Sequence, residues 1–295
     1  MIDKHSTPLP KEIPMSHRAI RRALALGASV AIVATLAACS PASDGSGQTA
    51  SDYVTDGKLT IATGDPAYYP WVIDDKPQSG EGFEAAIAYA VADELGFGKS
   101  DVVWVRTGFD DAITPGPKTF DFNIQQFSIT DDRAKVVDFS SPYYETSQVV
   151  ITTDASAAAG AKSIDDLKGY LIGAATGTTS FDAIENQIKP TAAAQAFNSN
   201  DDAVLALQAG TIDALVVDLP TAFYLTGVEL DGGLIIGQLP KPDGKSGDDF
   251  GLLLPKDSPL TAKVTKAVDA LRANGKLDEI AATWLADAAD APVLK

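Results

Sequence analysis

Short apolar segments alternate with amphipathic ones along the chain after residue 57. In the first half, the pattern predicts strands at 59–63, 102–106 and 120–127, with a helix at 83–95 and a shorter helix before the third strand. Strands that alternate with helices in this way indicate a mostly parallel sheet whose faces are covered by the helices. The sequence therefore predicts a first α/β lobe.

A second series of the same kind starts at residue 148. It consists of predicted strands at 148–152, 170–174 and 212–217 and predicted helices at 180–188 and 201–209. We expect these elements to form a second α/β lobe, because they repeat the strand and helix alternation of the first.

The Pro- and Gly-rich stretch 239–247 is followed by a predicted strand at 250–254 and predicted helices at 259–273 and 277–285. A tail of about 45 residues is too small for an independent core. It must therefore pack on another part of the chain, although periodicity alone does not say which.

The first 38 residues have the order of a secretory signal. Basic residues that include Arg21 and Arg22 precede an apolar run at 23–38, which is short for a membrane span. The run ends in Leu-Ala-Ala directly before Cys39, the only cysteine. This junction resembles the lipobox of bacterial lipoproteins, which implies cleavage before Cys39 and its acylation, although a lone cysteine can also be an inert, buried thiol.

Residues 39–56 read as a lipidated, flexible tether, because a small, polar segment cannot bury enough surface to offset its ordering entropy. Without residues 1–38 the chain keeps 18 basic and 38 acidic side chains, a formal charge of −20, which makes nucleic acid an unfavourable partner. The same cleavage removes both histidines, His5 and His17. We therefore expect no metal site, no cofactor and no catalytic nucleophile–histidine pair.

The segment 124–133 places an arginine shortly after a predicted strand. Guanidinium groups bind carboxylates through paired N–H donors, and free backbone N–H groups at the start of a helix add further donors. Thr130 is a suitable N-cap for such a helix, and Asp131 and Asp132 suit its first turn. The pattern indicates a carboxylate-binding site that contains Arg133.

This segment, continued by 138–144 (DFSSPYY), resembles the polar amino-acid-binding proteins of family 3 of the extracellular solute-binding proteins, which serve ABC importers. The resemblance implies a two-lobed, type II periplasmic-binding-protein-like α/β fold with a two-strand hinge. Residues 57–147 and 248–295 would form lobe 1, and residues 148–247 would form lobe 2. It also implies a free amino acid as ligand and an ABC permease with its ATPase as partner, and we expect a monomer.

A zwitterionic ligand needs a partner for each buried charge. The resemblance assigns the ligand carboxylate to Arg133 and to the turn that contains Thr178 and Thr179. It assigns the ammonium group to Asp218, at the end of an apolar strand, and Ser128 is a candidate second acceptor. On the sequence alone, Asp218 could equally be a helix N-cap, and the threonine turn an ordinary helix start.

Four further positions match the family pattern. Tyr68 and Phe109 fall where relatives place aromatic walls of the cleft. Asp65 and Glu84 match acidic positions that contact the cationic side chain in lysine- and arginine-binding relatives, which favours a basic amino acid only weakly.

The chain departs from the family at Gln125 and Gln126, where members carry small residues. We expect one of these amides, that of Gln126, to enter the cleft and either bond the ligand or reduce the cleft volume, which leaves the ligand's identity open.

Ligand contacts from both lobes would drive hinge closure in an extracytoplasmic, lipid-anchored protein. Two other functions stay open: a cyclohexadienyl-dehydratase-like enzyme that uses Glu84 as general acid, and a ligand sensor for a separate receptor.

Overall fold

The computed structural model describes residues 51–241, 247–285 and 291–295. The predicted signal segment, Cys39 and most of the predicted tether lie outside the described residues.

The described residues form ten strands and eight α-helices. The strands are β1 (Leu59–Thr63), β2 (Val102–Arg106), β3 (Phe122–Asn123), β4 (Val137–Thr146), β5 (Gln148–Thr153), β6 (Ile172–Ala175), β7 (Gln195–Phe197), β8 (Ala214–Asp218), β9 (Gly233–Gln238) and β10 (Asp248–Pro255). The helices are α1 (Phe83–Glu94), α2 (Phe109–Ile113), α3 (Ile164–Leu167), α4 (Thr179–Ala183), α5 (Asn200–Gln208), α6 (Leu219–Tyr224), α7 (Thr261–Ala273) and α8 (Lys276–Trp284). Single π-helical turns extend α4 and α6.

The first sheet has the strand order β2-β1-β3-β10-β4. β1 is parallel to β2 and β3, whereas β10 is antiparallel to β3 and β4. Helices α1, α7 and α8 pack against it, with Phe83, Ile87 and Val264 fully buried in their common core. We call the part built on this sheet the first lobe. The start of the described chain belongs to it, since Tyr53 packs edge-on against Phe97 at 5.0 Å.

The second sheet has the strand order β7-β6-β8-β5-β9. β6 is parallel to β7 and β8, and β5 is antiparallel to β8 and β9. Apolar side chains on both of its faces are fully buried, for example Val150 and Val216 on one face and Ile151 and Leu215 on the other. We call the part built on this sheet the second lobe.

Two neighbouring crossings join the sheets. Ser147 alone separates β4 from β5, and β10 returns beside the same point, where Asp248 pairs with Thr146. The Leu239 N–H donates to the Gln148 carbonyl oxygen at 2.8 Å. The two mixed sheets with flanking helices confirm the predicted two-lobed α/β fold class.

Several predicted elements differ from those observed. The third strand was predicted at 120–127 but is limited to Phe122–Asn123, and Gln126 adopts a left-handed φ of 51°, which is incompatible with a continued strand. Strands β4, β7 and β9 and helices α3 and α6 were not predicted. In β4, Pro142 and three serine or threonine residues obscure the apolar alternation on which strand prediction depends.

The last described residues correct the predicted lobe boundary. Residues 291–295 were assigned to lobe 1, but they lie on the second sheet, where Val293 forms a parallel bridge with Gln238. The Leu294 N–H donates to the Gln238 carbonyl oxygen at 2.8 Å, and the Leu294 side chain belongs to a core cluster of the second lobe. The chain therefore ends on the second lobe.

We predict that Leu294→Ala destabilises the protein by about 2 kcal/mol, because it removes a buried side chain from a segment that can partly collapse into the space. Leu294 is 4% exposed, whereas its neighbour Val293 is 58% exposed. Urea unfolding of Leu294→Ala, with Val293→Ala as the control, measures the difference. Equal stability of the two variants would show that this segment contributes nothing to the second lobe.

Candidate ligand-binding site

A cavity of about 240 Å³ lies between the two lobes. The first lobe lines it with the loop after β1, the start of α2, the turn after β3 and Arg133. The second lobe lines it with the turn before α4, the segment before α5 and the end of β8. Nine of the ten predicted ligand-binding residues line this cavity: Asp65, Tyr68, Phe109, Gln126, Ser128, Arg133, Thr178, Thr179 and Asp218.

Arg133 lies at the junction of the two lobes and is only 9% exposed. Its Nη1 donates to the Ser128 carbonyl oxygen at 2.8 Å, and its Nη2 donates to the Gly177 carbonyl oxygen, also at 2.8 Å. The guanidinium lies over the Phe109 ring, 5.3 Å from the ring centroid. Ser128 belongs to the first lobe and Gly177 to the second, so one side chain bonds to both.

The charge of Arg133 is not paired by any carboxylate within 4.0 Å in the described ranges. Burial lowers the pKa of Arg133, and the negative charges of Asp182 and Asp248 are the first to oppose that shift. A guanidinium remains charged at neutral pH even so. The cavity wall therefore carries a buried positive charge that an anion could neutralise.

The local structure around Arg133 corrects one detail. The predicted helix is a single 3-10 turn, Arg133–Lys135, and its N-cap residue is Asp132, not Thr130. Thr130 Oγ1 nevertheless accepts a hydrogen bond from the Arg133 N–H at 3.2 Å. Thr130 thus helps to fix the backbone that carries the guanidinium.

The threonine turn approaches the first lobe closely. Thr178 is the N-cap of α4, with Oγ1 accepting from the Phe181 N–H at 3.2 Å, so the ordinary helix-start role exists beside the predicted binding role. Thr179 Oγ1 lies 3.1 Å from Ser128 Oγ across the cleft. Gly177 has a φ of +69°, and a Cβ there would lie 2.4 Å from Asp110 Oδ1. The left-handed φ favours glycine at this position.

Asp218 ends β8 and occupies the N-cap position of α6, but its side chain makes no capping hydrogen bond. Its Oδ1 accepts instead from Gln148 Nε2 at 2.9 Å. Burial, followed by the charge of Asp248, raises the pKa of Asp218 to about 7. Asp218 thus lines the cavity, and its side chain does not act as the helix cap that the sequence also allowed.

Aromatic side chains form part of the wall, as predicted positions Tyr68 and Phe109 both line the cavity. Phe109 stacks on Phe127 at 4.6 Å, which fixes the ring that lies under the guanidinium. Burial, with the charge of Asp201, raises the pKa of Tyr68 to about 12. Trp71 is packed between aromatic rings of the first lobe, and its Nε1 donates to Thr221 Oγ1 of the second lobe at 3.2 Å.

Glu84 does not line the cavity, which corrects its predicted contact with the ligand side chain. It is fully buried, and its Oε1 accepts from the Gln126 N–H at 2.8 Å. Tyr143 and the Gln126 amide also donate to this carboxylate. Burial raises the pKa of Glu84 to about 7. Glu84 therefore supports Gln126 in its left-handed conformation, and Gln126 forms the wall.

Carboxylates outnumber cationic groups around the cavity. Asp65, Asp110, Asp111 and Asp218 line it together with one cationic residue, Arg133. Gln125 also lines it, and its buried Oε1 has no hydrogen-bond partner among the described residues. The remaining negative charge and the free acceptor suit a ligand group that is cationic and rich in N–H donors.

Two contributions were missed by the sequence-based predictions. Asp110 and Asp111 were visible as an acidic pair directly after Phe109, and the position of Phe109 in the wall could have indicated them. Gln148 offered no such signal, because its amide reaches Asp218 and Asp248 only once the two crossings are side by side.

Two lobes with a charged cavity between them define a class of solute-binding proteins. The chain matches the family model of bacterial extracellular solute-binding proteins, family 3, over residues 59–287, and it belongs to that family.

Two relatives illustrate the similarity in sequence. The L-arginine-binding protein of Pseudomonas aeruginosa is 32% identical over 222 residues, which cover 72% of this chain and 83% of that protein. A probable histidine-binding protein of Campylobacter jejuni is 30% identical over 228 residues, covering 75% and 83%, respectively. Both match this chain over most of its length.

A solved structure supports the same assignment. The arginine-, lysine-, histidine-binding protein ArtJ from Geobacillus stearothermophilus superposes with a TM-score of 0.65 at 28% sequence identity. The match covers 78% of this chain and 95% of that one.

We predict that Glu84→Gln changes how the stability of the ligand-free protein depends on pH. Because the folded-state pKa of Glu84 is raised to about 7, folded protein holds its proton at pH values where unfolded protein has released it. The wild type therefore loses stability as pH rises from about 4.5 to about 7. Glu84→Gln should gain about 3 kcal/mol relative to the wild type over this range.

Urea unfolding at a series of pH values tests this expectation. Glu94→Gln is the matched control, since Glu94 is an exposed residue at the other end of α1. A parallel course of the wild-type and Glu84→Gln curves would contradict the role of burial at Glu84.

Proposed function

We propose that this protein is the substrate-binding lipoprotein of an ABC importer, which captures a free basic amino acid by hinge closure and delivers it to the permease. The observation that carries the proposal is the placement of Arg133 and Asp218 on one cavity, from different lobes.

The two side chains match the two poles of an amino acid. In the described contacts, the Arg133 guanidinium uses two of its N–H groups on backbone carbonyls, which leaves three of its five donors for a ligand carboxylate. Asp218 would accept the ligand ammonium group, with Ser128 and the threonine turn as supporting hydroxyls. Pairing both charges offsets the free-energy cost of removing a zwitterion from water.

Contacts between the lobes support a closure mechanism. Besides the Arg133 and Ser128 contacts, Tyr69 of the first lobe packs on Tyr224 of the second, with ring centroids 4.7 Å apart. A ligand that touches both lobes binds the closed arrangement more tightly than an open one, and this difference in affinity drives closure. We expect micromolar or tighter binding, about −8 kcal/mol or better.

The charge of the cavity favours a basic side chain. Once Arg133 and Asp218 are paired with the ligand's own poles, Asp65, Asp110 and Asp111 still leave the wall negative. A guanidinium or ammonium side chain would offset that charge, whereas an acidic side chain would add to it. The names of the relatives point the same way, toward arginine and histidine.

Membrane attachment rests on the sequence. Cleavage before Cys39 and acylation would hold the protein near the permease outside the cytoplasm, in keeping with the extracellular family. Across the described ranges, no helix is long and apolar enough to cross a membrane.

The geometry does not favour the dehydratase alternative. Its candidate general acid, Glu84, is fully buried beneath Gln126 and has no place in the cavity wall. A general acid must come within hydrogen-bond reach of its substrate. The sensor alternative has no observation of its own that favours it, and we therefore propose a binding protein without enzymatic activity.

A thermal-shift screen against the common free amino acids tests the proposed ligand class. A ligand at about a hundred times its dissociation constant adds about 2.7 kcal/mol of stability. We expect arginine, lysine or histidine to raise the melting temperature most. If none of the amino acids raises it, the proposed function is wrong; if only acidic ones do, the assignment to basic ligands is wrong.

We predict that Arg133→Ala weakens binding of the amino acid that the screen identifies by about 2 to 5 kcal/mol, because it leaves the ligand carboxylate buried and unpaired. Isothermal titration calorimetry measures the loss. Arg272→Ala, on the exposed face of α7, is the control that also removes one guanidinium. A loss of affinity below about tenfold for Arg133→Ala would refute the carboxylate-binding role.

A further inference from the structure

The amide of Gln148 links two carboxylates at the crossing between the lobes. Gln148 is the first residue of β5 and is 6% exposed. Its Nε2 donates to Asp218 Oδ1 at 2.9 Å and to Asp248 Oδ2 at 2.8 Å, with Thr179 Oγ1 at 3.3 Å. Its Oε1 accepts from Ser180 Oγ at 2.6 Å, which fixes the orientation of the amide. One amide group is thus the contact shared by two like charges.

Asp248 is outside the candidate site. It does not line the ligand cavity, and it lies instead beside a small pocket of about 20 Å³ on another side of Gln148. Asp248 is also the first residue of β10, where the chain returns to the first lobe and pairs with Thr146. Its carboxylate therefore makes no contact in the cavity wall, and it acts on the site through its hydrogen bond with the Gln148 amide and through its charge.

We propose that Asp248 is a positioning residue for the ammonium-binding carboxylate: both carboxylates accept from the Gln148 amide, and Asp248 thereby sets the place of Asp218. The proposal rests on the proposed function, because it concerns the group that would hold the ligand ammonium. It adds that the hinge strand β10, and not the cavity wall alone, determines the strength of that contact.

The electrostatic surroundings of Asp218 give the direction of the effect. Burial raises its pKa most and the charge of Asp248 comes next, while the Gln148 hydrogen bond and the Arg133 charge lower it. The buried Glu84 of α1 raises it further. From β4, the phenol groups of Tyr143 and Tyr144 lie near this carboxylate: burial raises the pKa of both, and the charge of Asp218 adds to the shift.

Binding of a cationic group favours the ionised form of Asp218, so a protonated fraction in the free protein must release its proton when the ligand binds. Because the pKa of Asp218 is about 7, affinity should fall as the pH drops below about 7. Without the charge of Asp248, the pKa of Asp218 falls and the loss of affinity moves to lower pH. Without the amide of Gln148, it moves to higher pH.

Calorimetric titration with L-arginine between about pH 5 and about pH 9, in buffers of different ionisation enthalpy, measures both affinity and the protons released. We expect Asp248→Asn to shift the midpoint of the affinity curve down by about one pH unit and to release fewer protons at pH 7. We expect Gln148→Leu to shift the midpoint up and to release more. Asp269→Asn on α7, which removes one exposed carboxylate, should leave the curve in place.

A purely structural role would give a different result, since a disturbed hinge weakens binding by the same factor at every pH. Unshifted midpoints for both variants, or shifts of the same sign, would therefore overturn the proposal even when arginine binds well. Failure of the wild type to bind any amino acid would instead count against the proposed function.

Unfolding of the ligand-free protein tests the same coupling independently of binding. The raised pKa of Asp218 makes the wild type lose stability as pH rises toward about 7. Asp248→Asn should reduce that loss and Gln148→Leu should increase it. Identical slopes for the wild type and both variants would overturn the proposal whether or not any ligand binds.

Discussion

The central constraint on this structure is a buried positive charge that has no carboxylate partner among the described residues. Arg133 is held by a carbonyl oxygen from each lobe and by the Phe109 ring beneath it, and these neutral contacts orient the guanidinium without neutralising it. A charge in this state is costly unless an anion completes its environment. The buried charge therefore lies at the junction of the lobes, where the Gly177 carbonyl oxygen of the second lobe accepts a hydrogen bond from it.

The opposite side of the cavity carries an excess of carboxylates. Asp218 and Asp248 share one amide donor, and other aspartates line the wall. Burial and then the charge of Asp248 raise the pKa of Asp218 to about 7, so a cation that enters the cavity would favour its ionised form. The Gly177 carbonyl oxygen fixes the Arg133 guanidinium, and the Gln148 amide fixes the Asp218 carboxylate. The choice of ligand then depends on where these charged side chains lie as well as on which residues they are.

Part of this site was readable from sequence for a physical reason. Ligand-binding side chains often lie at the carboxyl ends of buried strands, so Asp218 stood out at the end of an apolar run. Arg133 stood out after the predicted strand 120–127, although the observed β3 ends at Asn123 and Arg133 lies on a 3-10 turn. Glu84 was misplaced because a helix residue's matching position does not say which neighbour covers it, and here Gln126 does. Gln148 was missed because its role arises from two crossings far apart in the chain. The lobes were predictable from periodicity, whereas the docking of residues 291–295 was not.

The two ends of the described chain lie on different bodies. Tyr53 is packed into the first lobe, and Leu294 is buried in the second. The distance between these two ends should therefore change whenever the lobes move relative to each other. A donor and an acceptor dye attached near the two ends would report each capture event as a change in energy transfer, and a short covalent link between the ends would restrain the motion without touching the cleft.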